Sequence, residues 1–153
     1  MATDHTHEVS PLAKDLEFCQ RVPEKHIQSM VPASEERVHA PGEIIIKSGD
    51  EASRVCILLE GSARVVYWVA VPPNPRFAVV DIVGAGRLFG LIPALDGEPY
   101  TAQLEAMTRT RTMFVSRQAF LDEMAAHPEF AMEMMLQMAS FTGNTQGRLL
   151  STL

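Results

Sequence analysis

The spacing of apolar positions changes twice along this chain. Behind Pro11, a residue suited to a first helical turn, Leu12, Leu16 and Cys19 or Gln20 recur at helical spacing. A second short helix is predicted over Glu24 to Met30, after Pro23. The apolar runs then become short. Val38-His39-Ala40 ends at the turn pair Pro41-Gly42, and Ile44-Ile45-Ile46 ends before Ser48-Gly49-Asp50. Val55 to Leu59 ends at Glu60-Gly61. Ala63 to Val71 alternates, with Val65, Tyr67 and Val69 on one face and Val66, Trp68 and Ala70 on the other. Pro72-Pro73-Asn74-Pro75 is read as a loop that lets Phe77 to Val83 return as the second arm of a hairpin. Short strands punctuated by Gly and Pro read as an antiparallel sandwich or roll.

From Arg117 the period returns to three and four residues, through Phe120, Met124, His127 or Pro128, Phe130, Met134, Met138 and Phe141. Met132, Met134, Met135 and Met138 offer a soft apolar surface, open to core packing or to a partner helix. Gly143 and Gly147 each cost about 1 kcal/mol inside a helix. Either the helix frays after Thr142, or Ser140, Gly143 and Gly147 let two helices approach closely. The stripe Met134, Met138, Phe141 and Leu149 is longer than the core requires, which predicts a homodimer through the C-terminal helix.

The most informative segment runs from Gly86 to Ala102: Gly86-Arg87-Leu88-Phe89-Gly90-Leu91-Ile92-Pro93-Ala94-Leu95-Asp96-Gly97-Glu98-Pro99-Tyr100-Thr101-Ala102. It lies between two strand-like runs, Phe77 to Val83 and Thr101 to Met107, and has room for one helical turn. A glycine before a first helical turn leaves backbone N–H groups pointing outward, a place that attracts anions. The segment resembles the phosphate-binding cassette of cyclic nucleotide-binding domains. The glycines Gly42, Gly49, Gly61, Gly86 and Gly90 match that family's turn glycines in order and approximate spacing. The resemblance covers roughly Val22 to Leu150.

It implies a mainly β fold with flanking helices: an antiparallel β-roll, a jelly-roll-like double-stranded β-helix, with N-terminal helices and a long C-terminal helix. Residues 1–10 are then a loose tail and 11–153 one domain, with helices over 11–30, the roll over 35–117 and C-terminal helices over 117–150. It implies ligand contacts from Arg87, Phe89, Gly90, Leu91, Ile92, Pro93, Tyr100, Thr101 and Ala102. Thr145 and Gln146 of the last helix would face the base in the family's dimer.

The chain departs from the family at both charged positions. Leu91 stands where a Glu accepts from the ribose hydroxyl, and Tyr100 where an Arg neutralises the phosphate. Losing a buried charge-assisted contact costs about 2–5 kcal/mol, roughly 30- to several-thousand-fold in affinity. Pro93 removes one N–H near the helix start. Tight cyclic AMP binding is therefore not expected. Arg87 could swing in as a substitute, or be a solvated turn residue. The pocket either takes another small effector, aromatic or lipid-like beside Leu91, Ile92, Tyr100, Val80 and Ile82, or is filled by its own side chains.

Composition narrows the rest. At 153 residues the chain is one domain able to bury a core, and no apolar run reaches membrane-span length. The net charge of −6 argues against nucleic-acid binding by this chain itself, since Arg109, Arg111 and Arg117 make only a modest basic spot. The polar start Met1 to Ser10 carries Asp4 and Glu8 and is no signal peptide. Cys19 and Cys56 lack metal spacing, and the expectation is two reduced thiols in a cytoplasmic protein. No metal site is expected, because His5 and His7 lie in the tail and His39 stands alone on a strand. No nucleophile–base pair is readable, so the chain is read as a non-enzyme. The expected function is a ligand-sensing module, of the kind that forms the sensory half of catabolite-activator-type transcription factors. The alternatives are a ligand-free dimerisation module, or a haem or other non-nucleotide sensor with His39, Cys56 or Cys19 as axial candidates. Because no helix-turn-helix follows Leu153, the chain is expected to be either a stand-alone sensor or a piece of a longer regulator.

Overall fold

In the computed structural model, residues 19–69 and 76–139 are described. The elements are β1 (Gln20–Arg21), α1 (Glu24–Met30), a 3-10 turn (Val31–Ala33), β2 (Ser34–His39), β3 (Ile44–Ile46), β4 (Arg54–Glu60), β5 (Ala63–Val69), β6 (Arg76–Val83), β7 (Arg87–Phe89), α2 (Leu91–Asp96), β8 (Gln103–Ala106), β9 (Thr110–Ser116) and α3 (Arg117–Ala126). A further helix, α4, covers 128–139. All strand pairs are antiparallel. They form a five-stranded sheet in the order β1-β7-β4-β9-β2 and a four-stranded sheet in the order β3-β8-β5-β6.

Two cores follow from the strand period of two. Cys56, Leu58, Phe89 and Phe114 point from the five-stranded sheet into the roll, where Ile46, Ala63, Val65, Tyr67, Val83 and Leu104 meet them. The alternate residues Val55, Ile57, Leu88, Met113 and Val115 face the other way and pack under Ile27, Met30, Phe120, Phe130 and Met134 of the helices. This explains why Val55-Cys56-Ile57-Leu58-Leu59 is continuously apolar instead of alternating. Its sheet is covered on both faces. The four-stranded sheet leaves Val79 and Ile82 exposed. The edge strand β2 carries Glu35, Glu36 and Arg37, charges that discourage edge-to-edge pairing.

Between the helices, strands run from Ser34 to Ser116, and the expected hairpin is β5–β6, with Trp68 opposite Phe77. The five turn glycines all have positive φ. The expected helices over 11–30 are corrected at one point. Gln20 and Arg21 form a short edge strand paired with Leu88 and Arg87, and the helix begins at Glu24. Helical spacing from Leu12 does not reach Gln20, because β7 offers it a ladder. The part of that helix before Cys19 lies outside the described residues.

Among the described residues, the segment after β9 is two helices. Ser116 caps α3, its hydroxyl accepting from the Ala119 N–H at 3.1 Å. Pro128 stops it, since the residue before a proline avoids helical backbone; His127 sits at φ −131°, ψ 82°. Pro128 then opens α4. No helix among the described residues is long and apolar enough to cross a membrane.

Candidate functional site

The cassette is built as strand, glycine, single-turn helix and return strand. β7 ends at Phe89, Gly90 precedes α2, and Tyr100 to Ala102 lead into β8. Backbone hydrogen bonds tie its far end to the Ser48–Asp50 turn: the Gly49 N–H donates to the Tyr100 carbonyl at 2.8 Å, and the Tyr100 N–H to the Asp50 carbonyl at 3.1 Å.

Tyr100 occupies the position of the expected arginine and is nearly fully buried, in the roll core. Its ring lies 5.8 Å from that of Phe89, and its hydroxyl donates to the Arg54 carbonyl. A Cβ at Gly90 would come within 3.3 Å of the Tyr100 ring, so a side chain there requires that ring to give way. Leu91, at the position of the expected glutamate, is fully buried in the other core, between sheet and helices. Pro93 and Ala94 are buried as well, and Ile92 is half-buried. Thr101 is exposed, with its hydroxyl 3.2 Å from that of Tyr67, and Ala102 is core.

Arg87 is directed to the sheet edge. Its Nε donates to the Cys19 carbonyl at 2.7 Å, and its guanidinium lies 3.7 Å from Asp81. Arg117, the first residue of α3, donates to the Ala94 carbonyl of α2 at 2.6 Å. The basic spot expected from Arg109, Arg111 and Arg117 is dispersed, for Arg111 pairs with Glu36 at 2.9 Å and Glu60 at 3.3 Å. Of the residues expected to bind ligand, Phe89, Gly90 and Tyr100 are brought together. Leu91 belongs to a different layer, and Thr145 and Gln146 lie outside the described residues.

The axial-ligand candidates are placed in structural roles. His39 is buried with Nδ1 2.7 Å from Glu43 and Nε2 2.8 Å from the Thr112 hydroxyl, so both ring nitrogens are engaged. Burial pushes the Cys56 thiol up to about 12, which keeps it protonated.

One expectation about the helices needs correction. Met134 is fully buried against the roll and is unavailable to a partner, and Met138 packs partly on the same core. The exposed apolar residues of α4 are Met132, Met135 and Leu136. Phe141 and Leu149 lie outside the described residues. The helices also bring histidines together. His26, Glu123 and His127 place one ligand atom each within 4.8 Å of one another, a group that the pattern of residues along the chain did not reveal. Glu123 and His127, one helical turn apart, were a readable signal. His26, 97 positions from Glu123, was not. Burial raises the pKa of Glu123, but hydrogen bonds from His26 and Ser29 and the nearby His127 outweigh it and hold the carboxyl below its ordinary range.

With this geometry in place, three kinds of comparison agree. The family model described as cyclic nucleotide-binding domain matches residues 36–127. The HTH-type transcriptional regulator Cmr of Mycobacterium tuberculosis (strain CDC 1551 / Oshkosh) is 32% identical over 114 residues, which is 74% of this chain and 45% of that protein. The chain thus matches less than half the length of this relative. The catabolite activator protein of Thermus thermophilus superposes with a TM-score of 0.70 at 19% identity, over 84% of this chain and 60% of that one. The c-di-GMP responsive global regulator CLP of Xanthomonas campestris gives 0.68 at 15% identity, over 81% and 61%. These two structures share the fold. Together with the two-core roll and the glycine-led cassette, the family match shows that the chain belongs to the cyclic nucleotide-binding domain family, in the form found in Crp/Fnr-type regulators.

Proposed function

We propose that this chain is a non-catalytic regulatory module of a transcription regulator, in which a roll with an altered cassette is joined to a dimerising helix, and that it does not hold cyclic AMP or cyclic GMP tightly. The observation that carries the reading is Tyr100. A cyclic nucleotide brings a phosphate charge, and the side chain at the arginine position is an uncharged ring packed on Phe89 and Gly90 with its hydroxyl turned to Arg54. The other contact is missing because Leu91 serves the helical core. The same packing favours a second reading, a module that works through protein contacts with no small molecule in the roll. The dimer is assigned to the outer face of α4, with Met132, Met135 and Leu136 as its contacts.

Calorimetric titration of the full chain with cyclic AMP and cyclic GMP tests the reading. The expected result is no binding below about 1 µM, which corresponds to roughly 8 kcal/mol. Submicromolar binding of either overturns it. Tyr100→Arg restores the phosphate partner without disturbing Leu91 and is expected to tighten nucleotide binding about 30-fold or more. No gain favours the module without a small-molecule ligand.

A further inference from the structure

We propose that His26, Glu123 and His127 bind one divalent transition-metal ion of the zinc class, clasping α1 to the junction of α3 and α4. The three residues come from three places. His26 is in α1, Glu123 in the last turn of α3, and His127 at the break before Pro128. Glu123 Oε2 lies 2.8 Å from His26 Nδ1 and 3.5 Å from His127 Nε2. Zinc bonds of about 2.0–2.2 Å in tetrahedral geometry separate neighbouring ligand atoms by about 3.3 Å. The two distances from Glu123 bracket that spacing, and all three ligand atoms lie within 4.8 Å of one another. The ion takes the place of the proton between His26 Nδ1 and Glu123: in a neutral His26 that proton moves to Nε2, on the Glu129 side, and in an imidazolium it leaves to solvent.

The outer contacts also suit a metal. A ligating histidine holds its other ring nitrogen on a carboxylate or carbonyl, which fixes the tautomer. Here a single carboxylate, Glu129, serves both rings at longer range: its Oε2 lies 3.7 Å from His26 Nε2 and 3.6 Å from His127 Nδ1. Shortened to hydrogen bonds when an ion is bound, these contacts would leave the nitrogens nearest Glu123 to coordinate. The Ser29 hydroxyl donates to Glu123 Oε1 at 2.9 Å and leaves Oε2 for the ion. The Phe130 ring stacks on His26 with centroids 4.3 Å apart and fixes its plane. A solvent-connected cavity of about 180 Å³, lined by Lys25, His26, Ser29, Glu123 and His127, admits the ion and a water as fourth ligand. Two imidazoles and a carboxylate select zinc, cobalt or nickel over magnesium and calcium, which prefer all-oxygen shells. The carboxylates of Glu123 and Glu129 match the two charges of the ion.

The test uses the full chain, stripped with a chelator and dialysed. Zinc is titrated by calorimetry and cobalt by visible absorption. One ion per chain is expected, with a dissociation constant below about 10 µM and a tetrahedral cobalt band. His127 is 42% exposed, so His127→Gln should leave the fold intact by circular dichroism and weaken binding at least about tenfold. Glu129→Gln should weaken it by roughly 10-fold and keep the cobalt band. His5→Gln with His7→Gln should leave binding unchanged. The inference is overturned if the wild type takes up no ion, if folded His127→Gln binds as tightly as wild type, or if binding disappears with the tail histidines.

Discussion

Leu136→Glu is expected to turn the proposed dimer into a monomer while the melting temperature stays within a few degrees of wild type. Met132, Met135 and Leu136 are 54%, 48% and 57% exposed, and their spacing of three and four residues lines them along one face of α4. A two-fold axis sets like residues near each other, so one substitution introduces two carboxylates into the same apolar contact. Like charges placed together cost several kcal/mol, against the roughly 8 kcal/mol that a micromolar dimer has in total. The equilibrium moves by about a thousandfold. Sedimentation at tens of micromolar reads it directly. Met134→Ala is the converse control. It opens a cavity in the core and should cost about 2–5 kcal/mol of stability without weakening the dimer beyond what partial unfolding explains. A wild-type chain already monomeric at that concentration refutes the assignment.

Gly61→Ala is expected to lower the stability of the whole roll by about 3–4 kcal/mol, combining backbone strain with a steric clash, and its melting temperature by roughly 10 °C. Gly61 has φ +91° in the β4–β5 turn. A Cβ there would lie 2.4 Å from the Arg109 carbonyl oxygen and 2.9 Å from the Thr110 Cα. Both are backbone atoms, so no rotamer change relieves the contact. The turn is also stitched to that strand entry. The Ser62 carbonyl accepts from the Met107 N–H at 2.9 Å and the Thr110 hydroxyl at 3.1 Å, and the Ser62 N–H donates to the Thr108 hydroxyl at 3.1 Å. Pushing the turn away breaks these bonds together. Urea denaturation followed by circular dichroism measures the loss. A change below about 1 kcal/mol, which strain alone would cause, would mean that the two turns separate easily.

The roll and its cassette were legible because glycines and prolines act locally. Each turn sits where its own few residues demand, and Gly90 with the apolar run after it writes the cassette into consecutive positions. The β9 strand was less visible, since Thr110, Arg111 and Thr112 dilute its apolar pattern although both threonines are buried. The orientation of α4 was not legible. Helical periodicity finds stripes, and α4 has two: Phe130, Met134 and Met138 against the roll, and Met132, Met135 and Leu136 outward. Which stripe faces inward depends on the turn at His127 and on where Phe130 lands beside Phe120, 5.8 Å between ring centroids. That is tertiary information. The histidine cluster was hidden for the same reason, because α1 and α3 are separated by the whole roll in sequence and meet only in the fold.

The bond from Arg117 to the Ala94 carbonyl, with Leu91 buried beneath the helices, ties the cassette helix to the helical arm. Such a tie has no preferred direction. If cassette position alters how α4 presents its outer face, then pairing of α4 alters the cassette by the same free energy, because coupling between two equilibria is reciprocal. In a chain whose cassette has lost its charged contacts, information then runs from partner to roll as readily as from roll to partner. The proposed assembly would itself be an input, and the exchange rates of the α2 amides are where it would be read.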